Sequence, residues 1–201
     1  MLEQACAAGA AWQEKGHPLN IAVNVSARQL ERTEFVQEVR AALKHSGLDA
    51  GRLTLEITET VLMREPEATV QLLTELKALG VRLAVDDFGT GYSSLAYLRQ
   101  FPVDLLKIDR TFITGLAHSR EAQALAHTLI QLGKALGLET LAEGVEHHGQ
   151  VRELQHEGCD LVQGFLFARP LAIEAVEPLL EGHPGPSAAV AEERALPVIG
   201  R

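Results

Sequence analysis

Arg82-Leu83-Ala84-Val85-Asp86-Asp87 runs from an apolar segment into two adjacent carboxylates, and Phe88-Gly89-Thr90-Gly91 follows at once. A strand packed on both faces is almost entirely apolar. An ionised carboxylate at its end is costly unless it is paired or holds a metal. A strand simply running out into a turn would also place Asp and Gly here, for backbone reasons. The rest of the chain, read outward from this segment, favours the cation site.

Short β-rich runs alternate with longer amphipathic ones. The pattern predicts strands over Ile21–Ser26, Leu53–Thr58, Arg82–Asp86, Val103–Ile108, Glu139–Glu143 and Leu161–Gln163. It predicts helices over Glu31–Ser46, Pro66–Leu79, Arg120–Leu136 and Gly149–Glu157, with another from Leu2 to about Trp12 and a last one near Ile173–Leu180. Apolar stripes at helical spacing mark two of them: Phe35, Val39 and Leu43, then Leu125, Leu129, Leu132 and Leu136. Gly47, Gly80, Gly137 and Gly158 stand where left-handed helix caps are expected.

Such alternation means a parallel α/β sheet, and the strand ends choose its kind. They read Asn24, Glu56, Asp86, Lys107, Glu143 and Gln163, at intervals of 32, 30, 21, 36 and 20 residues. An open doubly wound sheet gathers ligand groups from a few strands at its switch point. One group from every strand end is the habit of a closed (β/α) barrel, which builds its site at the C-terminal face. Within strands, Leu53, Leu55 and Ile57 oppose Thr54, Glu56 and Thr58, while Leu83 and Val85 oppose Ala84 and Asp86. The apolar face should meet the helices and the polar face the barrel mouth, where Asn24, Glu56 and Asp86 would converge. A full barrel has eight strands and roughly 250 residues; six strands are legible here, so the expected fold is an α/β barrel that is incomplete, with about six of eight strand–helix units. The barrel domain is expected over residues 1–182, and the Pro/Ala/Gly/Glu-rich stretch 183–201 is expected to be a disordered tail.

Composition narrows the chemistry. The 201 residues carry a formal net charge of −9, which argues against a DNA- or RNA-binding surface, since that needs a basic face. Two cysteines, Cys6 and Cys159, form no ligand spacing and no disulfide framework, and are expected to be buried free thiols in a reducing cytoplasm. No apolar stretch reaches membrane-spanning length and no signal-peptide pattern opens the chain. The adjacent His147-His148 pair is expected exposed at a helix start. Carboxylates with an amide suit hard divalent cations such as Mg²⁺ or Mn²⁺. Two such ions can polarise a phosphodiester and generate a hydroxide for in-line attack. Asp86 is placed to bridge them, with Asp87 adding to one, and Lys107 could orient the water or neutralise charge building on phosphorus.

Asn24-Val25-Ser26, Glu56-Ile57-Thr58-Glu59, Asp86 through Leu95, Lys107-Ile108-Asp109, Ala142-Glu143-Gly144-Val145-Glu146 and Gln163-Gly164 resemble, in that order, the EAL family of cyclic-di-GMP phosphodiesterases. The resemblance runs from the first residues to about Leu180. It implies a TIM-type barrel that linearises cyclic di-GMP to pGpG with Mg²⁺ or Mn²⁺. It implies that Asn24, Glu56, Asp86, Asp87 and Glu143 are metal ligands, that Lys107 and Glu143 position or activate water, and that Gln163 lies near the metal's water shell. Glu59 is similar to the glutamate that pins the Asp87–Leu95 loop and couples metal occupancy to dimer contacts, so a homodimer is implied too. Glu146 is similar to a supporting or substrate-side residue.

The Glu-Ala-Leu stretch that names the family, whose glutamate is a metal ligand, does not occur in the chain. The opening Met1-Leu2-Glu3-Gln4-Ala5-Cys6 resembles the middle of the family's first barrel helix, so the expectation is a fragment or a misplaced start, with the first two strands and any sensory or cyclase domains upstream. Reading the genomic DNA upstream in frame tests this. The competing expectation is an inactive EAL-like module that binds cyclic di-GMP or docks a partner. Asp87-Phe88-Gly89 also matches a protein-kinase tripeptide, but no Gly-rich phosphate loop or His-Arg-Asp segment accompanies it.

Overall fold

The computed structural model describes residues 1–91 and 95–181, so the expected tail over 183–201 lies outside the described residues. The chain divides into two compact units, Met1–Asp104 and Leu105–Arg201.

The first unit runs α1 (Leu2–Glu14), β1 (Ile21–Asn24), α2 (Ala27–Leu30), α3 (Phe35–Ser46), a single 3₁₀ turn at Ala50–Arg52, β2 (Leu53–Thr58), α4 (Glu59–Leu62), α5 (Pro66–Lys77), β3 (Arg82–Phe88) and α6 (Leu95–Leu98). Its strands are parallel, β1 on β2 and β2 on β3. Paired residues in a parallel ladder share a face, and faces alternate along each strand. The register sets Asn24 against Glu56 and Glu56 against Ala84, so Asn24, Glu56 and, two residues beyond Ala84, Asp86 share one face. Beneath that ladder, Val39, Leu55, Leu73, Leu76, Leu83 and Val85 are fully buried. Each such side chain contributes about 1.5–3 kcal/mol.

The second unit runs β4 (Leu105–Ile108), α7 (Arg110–Ile113), α8 (Arg120–Ala135), β5 (Glu139–Ala142), α9 (His148–Glu157), β6 (Leu161–Val162), a 3₁₀ turn at Ile173–Ala175 and α10 (Glu177–Leu180). Again β4 pairs β5 and β5 pairs β6 in parallel. Lys107 opposes Leu141, and Leu141 opposes Leu161. The ladder continues past the strands, because the Glu143 N–H donates to the Ile108 carbonyl and the Gln163 N–H to the Ala142 carbonyl. Lys107, Glu143 and Gln163 therefore share a face. The other face packs on a buried cluster that includes Ile108, Ile130, Ala142, Val151, Leu154 and Val162.

All six expected strands are present. The four cap glycines have left-handed φ of 75°, 91°, 73° and 72° at Gly47, Gly80, Gly137 and Gly158. Both cysteines are free and buried, and His147 and His148 are exposed at the start of α9. Four single-turn helices, α2, α4, α6 and α7, are not legible as periodicity because four residues cannot complete an apolar stripe. The helix expected from Glu31 begins at Phe35. The last expected helix is a 3₁₀ turn followed by α10, with Pro178 in its first turn. No helix among the described residues is long and apolar enough to cross a membrane.

Candidate functional site

In the first unit the site-forming chemistry is at the end of β3. Asp87 has φ of 53°, the one non-glycine with a left-handed backbone among the described residues. Asp tolerates that region better than most residues, at a cost of about 1–2 kcal/mol. The left-handed residue breaks the strict alternation of the strand, so the neighbouring carboxylates need not point to opposite faces. A carboxylate oxygen of Asp86 and one of Asp87 lie within 4.8 Å of each other, and Asp86 Oδ1 accepts the Asp87 N–H at 3.1 Å. Beyond them the Asp87 carbonyl accepts the Thr90 N–H and hydroxyl. The Gly89 N–H donates to Glu59 Oε2 at 2.8 Å from the buried first residue of α4. Glu59 thus ties the turn after β3 to the end of β2. Tyr92, Ser93 and Ser94 of the expected coupling loop lie outside the described residues. Glu56 and Asp86 are buried, whereas Asn24 is exposed at the end of β1.

In the second unit Lys107 Nζ sits 2.8 Å from Glu143 Oε1, with the lysine side chain 0% and the glutamate 10% exposed. A buried charge persists only where it is paired, so the snorkelling lysine that a strand end would otherwise suggest is not what the sequence builds. Glu143 opens a tightly held segment. Gly144 has φ of 68°, and a Cβ there would stand 2.4 Å from Arg110 Cβ. A Cβ on Gly164 would meet the Val145 carbonyl oxygen at 2.1 Å, so only glycine lets β6 pass this segment. Val145 donates to the Gln163 carbonyl and accepts from the Leu166 N–H. Gln163 is half-buried, and Glu146 is exposed. Asp109, after Lys107-Ile108, caps α7 through the Thr111 N–H. Burial pushes its carboxyl up, but the hydrogen bonds from Thr111 and Arg110 and the Arg110 charge outweigh this and hold it below the usual range.

Three further groups carry weight that sequence reading did not single out. Gln150 is buried and binds the backbone of Glu146 and His147; its spacing from His147, three residues into a helix, is the capping-box signal that could have found it. Asp104 holds Lys77 and the Leu83 N–H, and Asp160 holds Thr140. Both aspartates directly precede a strand, where turn chemistry masks them.

The carboxylate pair at Asp86-Asp87 fits a hard, oxygen-preferring divalent cation. A family model described as EAL domain matches residues 1–170. The cyclic di-GMP phosphodiesterase NbdA of Pseudomonas aeruginosa is 45% identical over 184 residues, covering 91% of this chain and 24% of that protein. The bifunctional diguanylate cyclase/cyclic di-GMP phosphodiesterase MucR of the same species is 44% identical over 175 residues, covering 87% and 26%. The chain thus spans about a quarter of the length of these curated relatives. Among solved structures, the EAL domain of Mycobacterium smegmatis DcpA matches with a TM-score of 0.85 at 40% identity, over 90% of this chain and 82% of that one. The MucR phosphodiesterase in complex with c-di-GMP matches with a TM-score of 0.83 at 44% identity, over 87% and 71%. The incomplete TIM-type barrel expected from the strand ends is borne out by these likenesses.

Proposed function

The chain belongs to the EAL domain family, and from that premise we propose that it supplies the metal-binding and water-positioning face of a cyclic di-GMP phosphodiesterase. What supports this most directly is the pair of adjacent carboxylates at the end of β3, brought within 4.8 Å by a left-handed Asp87. In this reading Asn24, Glu56, Asp86, Asp87 and Glu143 hold Mg²⁺ or Mn²⁺. When bound, such an ion polarises the phosphodiester and acidifies water. Lys107 and Glu143 orient that water, and the buried lysine offsets charge growing on phosphorus. Water adds to phosphorus, the bond to the ribose 3′ oxygen breaks, and that oxygen takes up a proton; the product is linear pGpG. Gln163 serves the metal's water shell, Glu146 supports the substrate side, and Glu59 fixes the turn that follows Asp87, passing metal occupancy on to a homodimer contact.

Without a Glu-Ala-Leu stretch, the 201-residue chain by itself turns over negligibly. The same feature favours the second reading, a module that binds cyclic di-GMP without cleaving it. Two measurements test the proposal: titration of the purified chain with Mn²⁺, followed by the loss of the free-ion EPR signal, and chromatography of cyclic di-GMP incubated with chain and Mn²⁺. Mn²⁺ binding that Asp86→Asn weakens about a hundredfold is the expected result. Indifference of Mn²⁺ binding to that substitution overturns the metal site, and rapid formation of pGpG overturns the impairment.

A further inference from the structure

We infer that Gln150, a residue outside every group assigned above, is the positioning residue that sets Glu143 against Lys107. This rests on the metal-site reading of Glu143. The side chain of Gln150 is 3% exposed, and its amide is engaged on both sides. Its Oε1 accepts the Glu146 N–H at 2.8 Å and the His147 N–H at 2.9 Å. Its Nε2 donates to the Ile113 carbonyl at 2.9 Å. Two N–H donors on one side and a carbonyl on the other fix the amide's orientation without ambiguity.

Those partners link the two segments that carry the buried ion pair. Ile113 ends α7, the turn that follows Lys107 and Ile108 of β4 and is capped by Asp109. Glu146 and His147 end the five-residue segment that begins at Glu143. Gln150 therefore joins the sequel of the Lys107 strand to the sequel of the Glu143 strand. Gly144 against Arg110 and Val145 against Gly164 lock the same segment from its other sides.

An ordinary helix cap does not need this. Gln29 stands in the same helical position at the start of α2, and its Oε1 takes the Ser26 N–H at 3.0 Å and the Ser26 hydroxyl at 2.8 Å. That cap is solvent-exposed, and these contacts stay within one turn. Gln150 is buried and reaches 37 residues back along the chain. Ligand-orienting groups behind a metal ligand typically change metal affinity 10–100-fold when removed.

The test is Mn²⁺ affinity of the full 201-residue chain by EPR, with thermal unfolding of the metal-free protein measured alongside. Gln150→Met, which keeps the shape and removes all three hydrogen bonds, should weaken Mn²⁺ binding by roughly 10–100-fold. Gln29→Met, which removes only a cap, should leave the affinity unchanged. Gln150→Glu keeps an acceptor for both N–H groups but, as a carboxylate, cannot donate to the Ile113 carbonyl, so it should also weaken Mn²⁺ binding, by roughly 10-fold or more. If Gln150→Met binds as wild type while Glu143→Gln does not, the positioning role is overturned and the metal site stands. If Glu143→Gln also binds as wild type, both are overturned. Should Gln150→Met fail to fold, Gln150→Glu decides: a loss of roughly 10-fold or more supports the role, and affinity equal to wild type overturns it.

Discussion

Acidic residues stand at both ends of the strands, and the two ends use them differently. Asp104, the last residue of the first unit, turns back onto β3: its carboxylate accepts the Leu83 N–H and two contacts from Lys77 Nζ, and its own N–H donates to the Leu83 carbonyl. Asp160, directly before β6, repeats the arrangement on β5, taking the Thr140 N–H and hydroxyl and returning its N–H to Thr140 Oγ1. At the strand ends, by contrast, Asp86 and Asp87 crowd two carboxylates onto a left-handed residue, and Glu143 meets a fully buried lysine. The starts spend their carboxylates on local backbone and side-chain donors, which is a latch. The ends crowd two carboxylates together and bury a third against an ammonium, arrangements that cost desolvation. This is the division between the stability face and the working face of a (β/α) barrel.

The sharpest way to break the comparison is at Lys107. Lys107→Met removes one partner of a buried pair and leaves the Glu143 carboxylate behind, so stability should fall by about 3–5 kcal/mol, read as a drop in the urea midpoint. A change no larger than that of a surface lysine would mean that Glu143 is not held by this pair. Next in size is Asp86→Asn. The amide oxygen can still accept the Asp87 N–H, so the fold should stand, yet Mn²⁺ affinity should drop about a hundredfold, near 2.7 kcal/mol. Equal losses in stability and affinity would erase the distinction between working end and latch.

At the strand starts the expectation reverses. Asp160→Ala strands the buried Thr140 N–H and hydroxyl, which should cost about 1–3 kcal/mol of stability and leave Mn²⁺ affinity alone. The contrast also explains what could be read without a structure. Glu56, Asp86, Lys107 and Glu143 were visible because each interrupts an apolar run, and the face they share follows from a period of two. Asp104 and Asp160 interrupt nothing: they precede their strands in Val103-Asp104-Leu105 and Cys159-Asp160-Leu161, where an aspartate looks like any turn residue. Gln150 was hidden for a different reason, since an amide on an amphipathic helix looks solvent-facing until its three partners are known. The left-handed φ of Asp87 has no signature at all, because Asp fits a turn, a ligand or a strained strand end equally well.

The smallest effect belongs to Lys77. Its ammonium bridges both oxygens of Asp104 at 2.8 Å, but the two side chains are 31% and 29% exposed. Water screens such a pair, and removing the lysine leaves Asp104 its Leu83 N–H and its access to solvent. Lys77→Met should therefore cost only about 0.5–1 kcal/mol, against several times that for Lys107→Met. The two substitutions remove the same charge and the same atoms from lysine–carboxylate pairs of equal length. A ratio near one between the two losses of stability read from the urea midpoints would mean that burial does not separate the latch from the working end; a ratio of three or more would place the difference in burial rather than distance.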